Sequence, residues 1–201
     1  MSDFSATRRA FHLPQGVIYL DGNSLGPMPL KTPQRVAQVM REQWAQQLIR
    51  AWNSSGWMQQ PVCVGTRIGR LIGAEPGSVV VGDTLSLRVY QALAAALQQV
   101  PERSVVLSDT GNFPSDLYMA RALLRDLNQG HQLRLVEPDG ILGAMDETVA
   151  VVMLTEVDYR TGRLHDMRTV TARAHETGAV TVWDLAHSAG ALPIYLSGTN
   201  A

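Results

Sequence analysis

Apolar residues follow two rhythms along the chain. Five short runs are mostly apolar: Val79-Val-Val81, Ser104-Val-Val-Leu107, Leu133-Arg-Leu-Val136, Ala150 to Leu154, and Val180 to Trp183. Each is followed by a stretch rich in Gly, Asp, Thr, Ser or Pro. The runs read as short strands, and the unbroken Ala150 to Leu154 as one buried on both faces, as in parallel sheets. Between them, apolar residues recur every three or four positions. The spacing predicts helices from Pro61 to Ile72, from Ser86 to about Gln99, over Leu117 to Leu127, and from Met167 to about Gly178 with Asp166 as cap. Strands mostly alternating with helices predict a three-layer α/β domain with a largely parallel sheet. The arginine in Leu133–Val136 predicts a position nearer the sheet edge.

The first sixty residues have a different pattern. Val17-Ile-Tyr-Leu20 is a short strand candidate ending in the turn-rich Asp21-Gly-Asn-Ser-Leu-Gly26. Thr32 can cap a helix with Pro33 at its first position, and Val36, Val39, Met40, Trp44 and Leu48 then keep helical spacing. Trp44, Trp52 and Trp57 could line an aromatic pocket or serve as packing anchors. Residues 1–60 are therefore expected to form an arm and helix, and residues 61–201 the first part of a larger α/β domain.

Chemistry is expected where strands end, because open α/β sheets bind ligands beyond their carboxyl edge. Val180–Trp183 leads into Asp184 and, three residues on, His187. Val79–Val81 leads through Gly82-Asp-Thr-Leu-Ser86 into a helix. Free amides at that helix start, with the hydroxyls of Thr84 and Ser86, suit a phosphate. An ordinary capped helix explains the same residues. Phe113, in the polar loop after Ser104–Leu107, could stack on a flat ligand or plug the helix end.

Composition narrows the classes. Of 201 residues 45% are hydrophobic and 17% charged, with a net charge of −1. No basic footprint for nucleic acid or polybasic membrane anchor is present. The longest strongly apolar run is too short to span a bilayer. Cys63 is the sole cysteine, which excludes an intrachain disulfide framework. A soluble cytoplasmic protein is expected.

The run Trp183-Asp-Leu-Ala-His-Ser-Ala-Gly190 resembles the kynureninases, pyridoxal-phosphate enzymes of the aspartate-aminotransferase structural class. Tyr19-Leu-Asp-Gly-Asn-Ser-Leu-Gly26, Trp52-Asn-Ser-Ser-Gly-Trp57, Asn112-Phe-Pro-Ser-Asp116 and Tyr159-Arg-Thr-Gly162 agree in order. The resemblance implies the large domain of a pyridoxal 5'-phosphate-dependent transferase fold. It implies that Asp184 pairs with the pyridine nitrogen and Phe113 stacks on the ring. Thr84, Leu85 and Ser86 would lie at the phosphate. Asp116, with Pro114 and Ser115 beside it, and Thr155 would meet ring substituents or the phosphate, and His187 the ring. The implied reaction is hydrolysis of L-kynurenine, or its 3-hydroxy form, to anthranilate (or 3-hydroxyanthranilate) and L-alanine, in tryptophan catabolism, by a homodimer. The alternatives are another enzyme of the same fold class, aminotransferase or desulfurase-like, and a non-catalytic domain with that fold.

This chemistry needs a Schiff-base lysine. The only lysine is Lys31, between Pro29 and Pro33 and not after a strand. The expectation is the N-terminal half of a kynureninase, inactive alone, with the rest of the large domain and the small C-terminal domain lying outside these residues.

Overall fold

The computed structural model describes residues 3–201, which divide into two compact units, residues 3–60 and 61–201. In the first unit, Val17 to Leu20 is not a strand: no ladder partner exists for it among the described residues, and Ile18 and Leu20 stand 85% and 88% exposed. A lone extended segment has nothing to satisfy its backbone groups except water. The helix begins at Thr32, with Lys31 and not Thr32 at the cap position; Lys31 is already helical in φ and ψ, and the Thr32 amide bonds Pro29. Its expected straight run is interrupted. Thr32–Gln38 is α-helical, Val39–Trp44 is a π turn, and Leu48 has a positive φ of 50°. An inserted π turn rotates the apolar stripe that the even spacing suggested. Trp52 and Trp57 pack edge to face, 5.9 Å between centroids.

The second unit opens with α1 (Gln60–Ile72), followed by α2 (Leu85–Gln99). Then come β1 (Val105–Asp109), α3 (Pro114–Leu127), β2 (Gln132–Val136), β3 (Val149–Thr155), α4 (Met167–Glu176) and β4 (Val180–Asp184). Val79–Val81 is not the fifth strand. The Val81 amide bonds the Pro61 carbonyl at the start of α1, so this extended segment lies along a helix. Gly65 permits that approach: a Cβ there would sit 2.0 Å from the Val79 carbonyl oxygen.

The four strands are parallel, in the order β2-β1-β3-β4. The arginine-bearing β2 is at an edge, where Arg134 pairs with Asp146 at 2.8 Å. One face of the sheet packs Val106, Val151 and Met153 against Val89, Leu93 and Leu97 of α2 and Leu117, Ala120 and Leu123 of α3. The other packs Leu107, Val152 and Leu154 against Val170 and Ala174 of α4, with Ile141 and Met145. β1 and β3 are buried throughout, which is why their sequences are continuously apolar. Asp166 caps α4 by accepting the Thr169 amide at 3.1 Å, as its position predicted. The chain passes from β1 outward to β2, then back across to β3. The sheet therefore reverses direction between β1 and β3, and ligands of such sheets bind beyond the strand ends at that reversal.

Candidate active site

Three neighbouring strands end in polar residues: β1 in Asp109, β3 in Thr155 and β4 in Asp184, with Thr155 and Asp184 in register. The loop from β1 into α3 closes over this edge. Asn112 is buried there and spans the reversal. Its amide donates to Ser108 Oγ at 2.8 Å and to the Met153 carbonyl at 3.2 Å. Its Oδ1 accepts the Phe113 amide at 2.7 Å and the Thr155 hydroxyl. Every polar atom of the Asn112 side chain is thus used to fix the loop that presents Phe113.

The helix α3 starts at Pro114, earlier than the apolar spacing suggested, because proline suits the first helical position. Pro114, Ser115 and Asp116 consequently occupy its first turn. Asp116 is fully buried and faces Asp184, which is 5% exposed. Burial, and next the Asp184 carboxylate opposite, push the Asp116 carboxyl up to about 7; Ser115, donating at 3.4 Å, pulls weakly the other way. Asp184 Oδ1 accepts the Ala186 amide at 2.7 Å. The remaining oxygen of each acid, Asp116 Oδ2 and Asp184 Oδ2, is buried with no hydrogen-bond partner, and so is His187 Nδ1. Unpaired buried polar atoms are costly, and two facing carboxylates more so. The site is built to meet a proton donor.

Rings cluster beside the loops that carry these acids. Phe113 lies 5.0 Å from Tyr159, edge to face, and 5.8 Å from His187; Tyr159 and His187 are stacked at 6.1 Å. The structure therefore brings together Phe113 and His187, brings Asp116 to Asp184, and links Thr155 to Phe113 through Asn112. Thr84, Leu85 and Ser86 stand apart. They form the N-terminus of α2, with no side-chain capping bond from Thr84, and no hydrogen bond among the described residues joins them to the acids. α2 does pack against β3 and β4, the strands that end in Thr155 and Asp184.

Sequence reasoning singled out neither Asn112 nor Tyr159 as site residues, although both lie within polar segments following strands. The buried hydrogen bond between Asp109 and His165 was missed as well. Among the described residues no cluster of three His, Cys, Asp or Glu side chains could hold a metal, and no helix is long and apolar enough to cross a membrane.

Comparison with known proteins agrees with this architecture. The sequence profile of the family "Aminotransferase class-V" matches residues 29–201. A kynureninase from Pseudomonas fluorescens is 50% identical over 199 residues, covering 96% of this chain and 48% of the relative. One from Burkholderia pseudomallei is 46% identical with the same coverage. The chain spans about half the length of the curated relatives it matches. A cysteine desulfurase from Escherichia coli superposes with a TM-score of 0.78 at 14% identity, covering 100% of this chain and 53% of its own. A C-DES mutant with glycine covalently linked to the PLP cofactor gives 0.74 at 15% identity, covering 96% and 53%. At these identities the two structures show a shared fold.

Proposed function

The chain belongs to the aminotransferase class-V family, and on that premise we propose that it forms part of the cofactor-binding domain of a pyridoxal 5'-phosphate enzyme that hydrolyses L-kynurenine or its 3-hydroxy form. The observation that carries the cofactor reading is the buried pair Asp116 and Asp184, each with an oxygen lacking a donor. A protonated pyridine nitrogen supplies such a donor, and a flat heteroaromatic ring suits the neighbouring Phe113, Tyr159 and His187. The substrate follows from the kynureninase relatives.

When bound, the cofactor supplies an electron sink for charge developing on the substrate. In this proposal the chain's own residues do the following. Asp184, anchored by the Ala186 amide, holds a proton at the pyridine nitrogen. Phe113, fixed by Asn112, covers one ring face. Asp116 and Thr155 meet ring substituents or the phosphate, with Pro114 and Ser115 setting the turn that aims Asp116. The free amides of the α2 N-terminus at Leu85 and Ser86, with the Thr84 hydroxyl, receive the phosphate, and His187 borders the ring. In the net reaction water adds across the Cβ–Cγ bond of kynurenine. Its oxygen enters the anthranilate carboxylate and alanine gains a hydrogen at Cβ. Lys31 precedes a helix in residues 1–60 and follows no strand, so no covalent lysine is proposed within residues 1–201. A homodimer is proposed on the family resemblance.

The test is incubation of the complete protein with pyridoxal phosphate and L-kynurenine. Equimolar anthranilate and L-alanine are expected, and residues 1–201 alone are expected to release none. Amino transfer to a 2-oxo acid, or sulfur release from cysteine, without anthranilate, would overturn the substrate assignment.

A further inference from the structure

The loop between β3 and α4 is a small hairpin. Val157 and Leu164 form an antiparallel bridge, the Asp158 amide bonds Arg163, and the Gly162 amide returns to Asp158. The Asp158 carboxylate accepts the Arg160 and Thr161 amides, closing the tip that carries Tyr159. The hairpin is joined to the end of β1 by one buried polar link. His165 Nε2 lies 2.7 Å from Asp109 Oδ2, with both side chains buried, and the other Asp109 oxygen accepts the Gly111 amide at 2.8 Å. The fit is close: a Cβ on Gly111 would come within 2.8 Å of Asp158 Oδ2 and 3.3 Å of Asp109 Oδ1. A separate ion pair from the hairpin, Arg163 to Asp139 in the turn after β2, involves an acid 96% exposed and contributes little.

We propose that Asp109 and His165 are positioning residues: their buried pair clamps the 157–164 hairpin to the end of β1 and so seats Tyr159 against Phe113 and His187, completing the aromatic wall of the cofactor cleft. The inference rests on the cofactor reading only for the identity of what the wall receives. Among the described residues neither Asp109 nor His165 hydrogen-bonds to Asp116 or Asp184; the Asp109 carboxylate bonds Gly111 and His165. Their effect travels through the hairpin backbone to the Tyr159 ring. Breaking one partner leaves the other buried and unpaired, so the two single losses should not add.

The experiment uses the complete protein with Asp109→Ala, His165→Ala, the double variant, His165→Gln, and Arg163→Ala. Two readouts are taken: amide hydrogen exchange over 157–164 without cofactor, and pyridoxal phosphate affinity by absorbance titration. Either alanine variant is expected to lose protection across the hairpin while β1 and β3 stay protected. Each should weaken cofactor binding about tenfold, with the double variant no worse. His165→Gln, which retains an N–H donor, restores part of both, and Arg163→Ala changes neither. Unchanged hairpin protection, or additive losses, overturns the clamp. Lost protection with unchanged cofactor affinity overturns its role in the cleft. If the unmodified protein binds no pyridoxal phosphate, the cofactor reading fails, and the exchange data alone decide whether the clamp exists.

Discussion

Asp116, in the first turn of α3, and Asp184, the last residue of β4, face each other as buried acids, each with one oxygen that nothing donates to. This juxtaposition sets the electrostatics of the strand ends. Burial and the Asp184 charge raise Asp116 from its ordinary 3.8 to about 7. Asp116 therefore keeps its proton in acid and releases it as pH rises through about 7.

The pH dependence of stability follows. A carboxyl with a raised folded-state value binds its proton more tightly folded than unfolded. Its favourable contribution is complete below 3.8 and is lost as pH rises toward and through about 7. The melting temperature of the cofactor-free protein should fall over that window. Asp116→Asn should flatten the fall, measured by thermal melts from pH 4 to 8.

Asn112 uses its amide group fully, in bonds to Ser108, Met153, Phe113 and Thr155. Asn112→Leu leaves several buried partners unpaired. A loss of about 2–3 kcal/mol in urea unfolding is expected, with an unchanged denaturant slope.

Much of this scaffold is legible in the sequence. β1 and β3 announce themselves as apolar runs because both faces are buried, β4 is an apolar run that is half-buried, and Thr155 and Asp184 stand where β3 and β4 end. Asp166 as a cap is legible because capping is local. What fails is what depends on partners. Val79–Val81 and Val17–Leu20 have strand composition but no ladder, and composition cannot supply one. The raised Asp116 is invisible because its cause, Asp184, lies on another element. The Asp109–His165 pair is separated by 56 positions, and no spacing rule connects residues so far apart.

Gly65 tests the fold independently of function. With Val79 carbonyl oxygen 2.0 Å from where a Cβ would lie, backbone must move to admit one. Gly65→Ala should destabilise by roughly 2–3 kcal/mol, read as a lower denaturation midpoint.

Phe113 is only partly buried, so its removal should be felt more by the ligand than by the fold. Phe113→Ala is expected to weaken pyridoxal phosphate binding by about fivefold, the scale of one aromatic contact. Phe113→Tyr should stay near the unmodified value in the same absorbance titration.

The proposed role of the facing acids Asp116 and Asp184 is to hold a protonated ring nitrogen. Asp184→Asn separates that role from packing, because it removes a buried like charge while keeping shape. Titrating pyridoxal phosphate into the unmodified and Asp184→Asn proteins at pH 7, with melts of both in cofactor-free form, tests it most directly. Stability and affinity should part in Asp184→Asn: a cofactor-free protein as stable or up to about 1 kcal/mol more stable, and cofactor affinity at least about tenfold weaker. Unchanged affinity in Asp184→Asn would contradict that role.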